Sequence, residues 1–333
     1  MTTKPIIHFA HANGVPSLVY RKLFDLLSEN YQIIFVPLLG PDKRYPIDNN
    51  WESLVNQVID SIVQQAKGQA VIGLGHSLGA LLTYMASRKR PELFKQVVML
   101  DPPLIMGAAS FAFDMAKLFY PKMVDQLSPA GLSKRRRDQW DSREQAAQLF
   151  RPKPFYRNFD SDCFSDYLRY ALTEDSITGG FTLTIPKADE LAIFRTNPSN
   201  WWRVWPEKPP VTTRMIVGEK SPFYERKFTE MAQKRLGIPF SVMAGGHMFP
   251  LEYPVETTHL VQQVIKKAHH EDALFFRAYK IESGPTVAYL GIQLVELIHI
   301  EAVQNRSIQR LVDKSNVLRH AHVQPNVQHH HAE

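Results

Sequence analysis

The sequence predicts an α/β fold: a mostly parallel central sheet with helices on both faces, interrupted by an inserted, mainly helical segment. Three observations predict it. Short apolar runs alternate with stretches whose apolar residues recur at helical spacing, and the connections between them are short. One junction, residues 71–80, reads Val-Ile-Gly-Leu-Gly-His-Ser-Leu-Gly-Ala, which is a strand, a tight turn and a helix start with Ser77 at the apex. The alternation stops near residue 104 and resumes near residue 209.

The elements follow in order. Residues 5–10 (Pro-Ile-Ile-His-Phe-Ala) are a buried strand that ends in the small-residue loop His11-Ala12-Asn13-Gly14. A helix runs from about Ser17 to Leu27, with Leu18, Leu23 and Leu27 among its apolar positions. Tyr31 to Pro37 is the next strand. A helix follows Asn50, carrying Trp51, Leu54, Val55, Val58, Ile59, Ile62 and Val63 at helical spacing. After the Ser77 turn, a helix over 77–88 stops before Pro91, and Gln96 to Leu100 is a strand closed by Asp101-Pro102-Pro103. Pro209-Pro210 marks the return to the sheet, with a strand over 211–218. The next helix starts at Pro222, with Ser221 as its N-cap and proline at its first position. Phe240 to Met243 is the last strand. It leads through Gly245-Gly246-His247 to a closing helix over about 254–268.

The resulting division places the core in residues 1–103 and 209–268 and a helical cap in 104–208. Residues 269–333 form an extension, partly helical (Thr286 to Ile300) and then disordered. This extension holds eight of the 13 histidines, and its terminal His329-His330-His331 reads as a polar tail before it reads as a metal binder.

At 333 residues, with 44% hydrophobic and 22% charged residues, the composition is that of an ordinary soluble globular chain. The formal charge of +6 is not drawn into a nucleic-acid-binding stripe. The single cysteine, Cys163, allows no intrachain disulfide. Residues 1–5 carry no apolar leader and no run has the length of a membrane span, so the chain is read as cytoplasmic, without stable membrane insertion. No metal-ligand spacing is evident, and no cofactor is expected.

The chemistry centres on Ser77. A Ser held in strained φ/ψ between a strand and a helix needs glycine two positions before and after it, and Gly75 and Gly79 are there. The N–H of Leu78, at the helix start, can face a developing oxyanion. A Ser hydroxyl needs a base. His247, in a Gly-Gly-His loop after the last strand, is the candidate. His11 is read as shaping the loop beside the substrate and His76 as a supporting residue next to it.

The order Ser77, acid, His247, with His11-Ala12-Asn13-Gly14 upstream, resembles the α/β-hydrolase superfamily over about residues 4–268. Gly246-His247-Met248-Phe249-Pro250-Leu251-Glu252 is similar to its histidine loop. Lys134-Arg135-Arg136-Arg137-Asp138-Gln139-Trp140 and Glu190-Leu191-Ala192-Ile193-Phe194-Arg195-Thr196 are similar to a bacterial subgroup of capped hydrolases. The resemblance implies a serine nucleophile and an oxyanion hole from the N–H groups of Leu78 and Asn13. It also implies an acid after the penultimate strand. There the chain departs from the pattern: the loop reads Gly218-Glu219-Lys220-Ser221-Pro222, with Ser221 where Asp is expected. Asp101, after the strand next to the Ser77 strand, is the first substitute, at a position where the superfamily has a known variant. Glu219 is the second, and the absence of any acid the third.

The expected activity is cleavage of a carboxylic ester or related acyl compound through an acyl-enzyme, with a small acyl molecule as partner. Acyl transfer or carbon–carbon bond hydrolysis on the same site are alternatives, as is a non-catalytic binding protein that has lost its acid. The basic run 134–137 is read as a solvated helix face, or else as an attractor of anionic substrates. Trp201, Trp202 and Trp205 are read as core packing, or else as the wall of an acyl pocket. Nothing in the sequence fixes the oligomeric state.

Overall fold

The computed structural model describes residues 4–177, 179–201 and 208–281. The chain divides into two units, Met1–Ala268 and His269–Glu333. The expectations for Trp202, Trp205, the apolar stretch 286–300 and the terminal histidines lie outside the described residues.

The first unit is built on six strands: β1 (Ile6–Ala10), β2 (Gln32–Phe35), β3 (Val71–His76), β4 (Phe94–Leu100), and, after an insert, β8 (Thr213–Gly218) and β9 (Phe240–Met243). They pair in the order β2-β1-β3-β4-β8-β9, every pair parallel. All six strands therefore end at one edge, and that edge gathers the loops after Ala10, His76, Leu100, Gly218 and Met243.

Alternation along the strands feeds two apolar cores. Ile6, Ala10, Val71, Val97, Met99, Met215 and Val217 face one side of the sheet. There they pack on α2 (Glu52–Ala66), α3 (Leu78–Lys89) and α11 (Phe228–Leu236). Ile7, Phe9, Ile72, Leu74, Val98, Leu100 and Ile216 face the other, against α1 (Arg21–Ser28) and the buried positions Val261, Val264 and Ile265 of α13 (Pro254–Ile281). The larger differences from the expected elements are local. Residues 17–20 are a 3-10 turn before α1. The helix expected from Pro222 breaks at Lys227 (φ 58°) into α10 (Pro222–Glu225) and α11.

Between β4 and β8 run α4 (Gly107–Phe119), α5 (Pro121–Leu127), α6 (Ala130–Lys134), α7 (Arg143–Phe150), α8 (Ser161–Tyr170) and α9 (Lys187–Arg195). This segment also holds a small antiparallel sheet, β5 (Gln139–Trp140), β6 (Leu172–Glu174) and β7 (Phe181–Leu183), paired in the order β5-β7-β6. The sequence reading did not include it, because strands of two and three residues are too short to carry a period-two pattern. Phe150, Tyr156, Phe159, Cys163 and Tyr167 of the insert join the same apolar cluster as β1 and α1. Trp201 lies buried in the opposite core, its ring 6.3 Å from that of Tyr84, so it is a packing residue.

The run 134–137 is neither a uniformly solvated face nor one patch of free charge. Arg136 is turned inward to the carboxylate of Glu190 at 2.8 Å and to the hydroxyl of Tyr167 at 3.0 Å. Lys134 stands 3.8 Å from Asp125, and Arg137 donates to the carbonyl of Gln139 at 2.6 Å.

Candidate active site

Ser77 sits between β3 and α3 with φ 51° and ψ −118°, a region L-residues rarely occupy. The backbone around it leaves no choice about the glycines. A Cβ on Gly75 would lie 2.3 Å from the carbonyl oxygen of Gly79, and one on Gly79 would lie 2.1 Å from that of Ala10. The turn is pinned from below by the Ser77 N–H, which donates to Leu100 at 2.9 Å. Leu78 opens α3, so its N–H is among those that helix geometry leaves without an intrahelical acceptor.

His247 is delivered by the loop after β9. Gly245 takes φ 108°, and the N–H of Gly246 donates to the carboxylate of Glu252 at 3.1 Å. Gly218 lets the two neighbouring loops touch: a Cβ there would meet the Gly246 carbonyl at 2.4 Å. His247 Nε2 lies 2.9 Å from Ser77 Oγ, and its Nδ1 lies 2.5 Å from Asp101 Oδ2. The ring of Phe223 stands edge-on at 5.4 Å.

Asp101 is fully buried, at a positive φ of 43°. A buried carboxylate needs donors to hold its charge, and three converge on it. Gly218 N–H donates to Oδ1 at 3.0 Å, Ser221 Oγ donates to Oδ2 at 2.5 Å, and His247 is the third. With the carboxylate as acceptor, His247 carries its proton on Nδ1, and the bare Nε2 faces the Ser77 hydroxyl. The residue standing where the acid was expected, Ser221, thus touches the acid instead. It also caps α10 by accepting from the Phe223 N–H at 3.3 Å. The sequence reading had Ser221 as a helix cap and missed its bond to Asp101. The signal was its place in the expected acid loop. Glu219 does not enter: its side chain is half exposed and 3.7 Å from Lys220 Nζ.

His11 and His76, both expected on the substrate side, are corrected. Each is fully buried with both ring nitrogens engaged. His11 Nδ1 donates to the carbonyl of Ala12 at 2.7 Å, and Nε2 accepts from the Leu39 N–H at 2.8 Å. Burial holds its pKa down to about 4, against a smaller upward pull from the Ala12 carbonyl. His76 Nε2 donates to the backbone carbonyl of His247 at 2.8 Å, and its Nδ1 accepts from the Tyr20 hydroxyl at 2.6 Å. Burial first, and then the neighbouring His247, hold it well below the ordinary histidine range, so the ring is neutral. Tyr20 and His76 brace the histidine loop from beneath, and neither has a polar atom left for a ligand.

The loop 11–14 lies beside the Ser77 turn because the Gly79 N–H donates to the His11 carbonyl at 3.0 Å. Asn13 Nδ2 donates to the carbonyl of Glu190 in α9 at 3.0 Å, which ties this loop to the insert. Among the described residues no group of three or more His, Cys, Asp or Glu side chains is arranged to hold a metal ion.

The sequence pattern of the alpha/beta hydrolase family matches residues 9–259. The chain is 28% identical over 214 residues to a type I acyl-CoA thioesterase of Penicillium brevicompactum, a match that spans 54% of this chain and 47% of that protein. It is 29% identical over 126 residues to the karrikin insensitive 2 receptor IA of Petunia hybrida, spanning 36% of this chain and 44% of that one. These matches therefore reach across less than half of the curated relatives' length. Among solved structures, E-2-(acetamidomethylene)succinate hydrolase superimposes with a TM-score of 0.58 at 18% identity, over 80% of this chain and 92% of that one. The peroxisomal alpha-beta-hydrolase Lpx1 of Saccharomyces cerevisiae gives 0.58 at 15% identity, over 92% and 86%.

Proposed function

The chain belongs to the alpha/beta hydrolase family, and from that premise we propose that it is a serine hydrolase. Its substrate class is a carboxylic ester or thioester, cleaved through an acyl-enzyme. The observation that carries this is the continuous hydrogen-bonded line from Ser77 Oγ to His247 at 2.9 Å and from His247 to Asp101 at 2.5 Å. The partial likeness to an acyl-CoA thioesterase favours the thioester end of that class.

In this reading His247 Nε2 takes the proton of Ser77 as Oγ attacks the acyl carbonyl. Asp101 holds the Nδ1–H tautomer and stabilises the imidazolium that forms. The N–H groups of Leu78 and Asn13 receive the oxyanion, where losing one donor typically costs about 10²–10³ in rate. His247 then protonates the leaving alcohol or thiol, and water repeats the sequence to release the acid. The insert between β4 and β8 serves as the cap over this edge of the sheet, tied to it through Asn13 and Glu190.

Fluorophosphonate labelling followed by peptide mass spectrometry tests the nucleophile without a known substrate. Label is expected on Ser77 and none on Ser77→Ala. That variant should lose at least about 10³ of the wild-type rate on a panel of p-nitrophenyl esters and acyl-CoA thioesters, with its melting temperature nearly unchanged. Turnover retained in Ser77→Ala would sink the proposal. The alternative of a non-catalytic binding protein rested on a missing acid. The three donors around buried Asp101 weigh against that alternative; a receptor among the relatives weighs for it.

A further inference from the structure

Helix α4 buries polar side chains beside apolar ones: Phe113 and Ala116 join Val124 in a small apolar cluster. Its polar residues Ser110, Asp114 and Lys117 fall at i, i+4 and i+7 and point inward. Ser110 Oγ donates to the carbonyl of Ser199 at 2.8 Å, and Asp114 accepts from the Ser199 hydroxyl at 2.9 Å. Lys117 Nζ donates to Asn49 at 2.7 Å, to Asn50 at 3.0 Å and to the carbonyl of Asn197 at 2.9 Å. The outward positions are Ala108, Ala109, Phe111, Ala112, Leu118 and Phe119, without one polar side chain. A helix apolar on the face it turns to water has an unburied face.

The face continues past α4. Phe111, Leu118, Phe119, Tyr120, Met123 and Leu127 are each between 45% and 69% exposed. Single exposed apolar residues need no explanation, but a run of them along consecutive packed helices marks an interaction surface. The same helices set the charge of its surroundings. Residues 104–137 hold six Lys and Arg against two Asp, and both acids are spent. Asp114 is buried, and Asp125 is held by a two-point ion pair with Arg195 at 2.7 Å. Lys122, Lys134 and Arg135 remain exposed.

We infer that α4 and α5 dock this protein reversibly on an anionic lipid surface, the apolar side chains entering the headgroup boundary and Lys122, Lys134 and Arg135 meeting the lipid phosphates. Apolar anchors bordered by cations fit an interfacial helix. A second copy of the chain fits less well, because a two-fold contact would set these cations against their own images. No helix among the described residues is long and apolar enough to cross a membrane, so the docking is peripheral. It does not rest on the hydrolase reading.

The test is co-sedimentation of the full-length protein with vesicles of phosphatidylglycerol and phosphatidylcholine, or of phosphatidylcholine alone, with light scattering of the lipid-free protein alongside. The wild type should pellet with the anionic vesicles, and less so at high salt. Leu118→Glu/Phe119→Glu should lower partitioning roughly tenfold or more. Lys122→Glu/Arg135→Glu, which leaves the apolar face intact, should lower it on anionic vesicles only. Wild-type protein that stays in the supernatant with both vesicles overturns the inference. So does pelleting that neither double variant reduces. A wild-type dimer that Leu118→Glu/Phe119→Glu makes monomeric, without vesicle binding, assigns the face to a second copy instead.

Discussion

Strands β4 and β8 lie side by side, and the loops that follow them end within hydrogen-bonding distance of each other. After β4 stands Asp101, buried and at positive φ. Gly218 ends β8 and Ser221 follows it, and both donate to the carboxylate. One loop supplies a carboxylate and the other supplies what a buried carboxylate needs to stay charged. On the proposed reading, in which Asp101 is the acid, the contrast teaches that an acid position is a point in space that either of two adjacent strands can reach. Moving the carboxylate from one strand to its neighbour also asks the vacated loop to become a donor. A hydroxyl does that without adding a second negative charge beside the first.

The comparison breaks most sharply at Asp101. Asp101→Asn is expected to lower kcat/KM by about 10³–10⁴, because an amide no longer holds the tautomer that leaves Nε2 free. Measured on whichever ester or thioester turns over, a loss under about tenfold would remove Asp101 from the relay. The sharpening variant exchanges the two loops. Asp101→Ser/Ser221→Asp returns a carboxylate to the same place from the other strand, and should recover at least about tenfold over Asp101→Ser alone.

This exchange also marks where sequence reading stops. The Ser77 turn was legible because its demands are local: Gly75 and Gly79 answer to backbone atoms a few residues or one strand away. The sheet was legible because its strands alternate between two cores. For the acid, Asp101 stood first in that reading and Glu219 second, but the partners of each carboxylate were not legible. They depend on which way each side chain leaves its loop: Asp101 turns inward to Gly218, Ser221 and His247, and Glu219 lies beside Lys220. His11 and His76 were read as shaping or supporting the site, and both rings are buried with both nitrogens bonded inside the protein. Arg136 gave no sign of burial in a run of four cations, since its partner Glu190 lies far along the chain, in α9.

Ser221→Ala should act at an intermediate scale. It takes one donor from a buried, charged acceptor, a loss of about 1.5–3 kcal/mol, and it removes the cap of α10. We expect urea unfolding to show a destabilisation of about 2 kcal/mol. The rate should fall by only about tenfold, because Gly218 still holds the other oxygen of Asp101. A rate loss equal to that of Asp101→Asn would mean that Ser221, and not the carboxylate alone, sets the geometry of His247. No change in stability would mean that the hydroxyl bond to Asp101 is absent in solution.

Glu219→Gln is the smallest expected effect and the strictest check on the contrast between the two strands. Glu219 stands two residues before Ser221, in the loop where the acid of this family usually lies, and it is the one other carboxylate there. Its backbone is bound to β9 and its side chain is half in water, 3.7 Å from Lys220. A pair of that kind contributes about 0–1 kcal/mol at most. The amide keeps the shape and removes the charge, so kcat/KM should change less than about twofold and the melting temperature by no more than a degree or two. A loss of two orders of magnitude would say that Glu219 swings inward when substrate is bound. The carboxylate would then belong to the loop after β8 after all, and the three donors around Asp101 would describe a structural residue rather than the acid that orients His247.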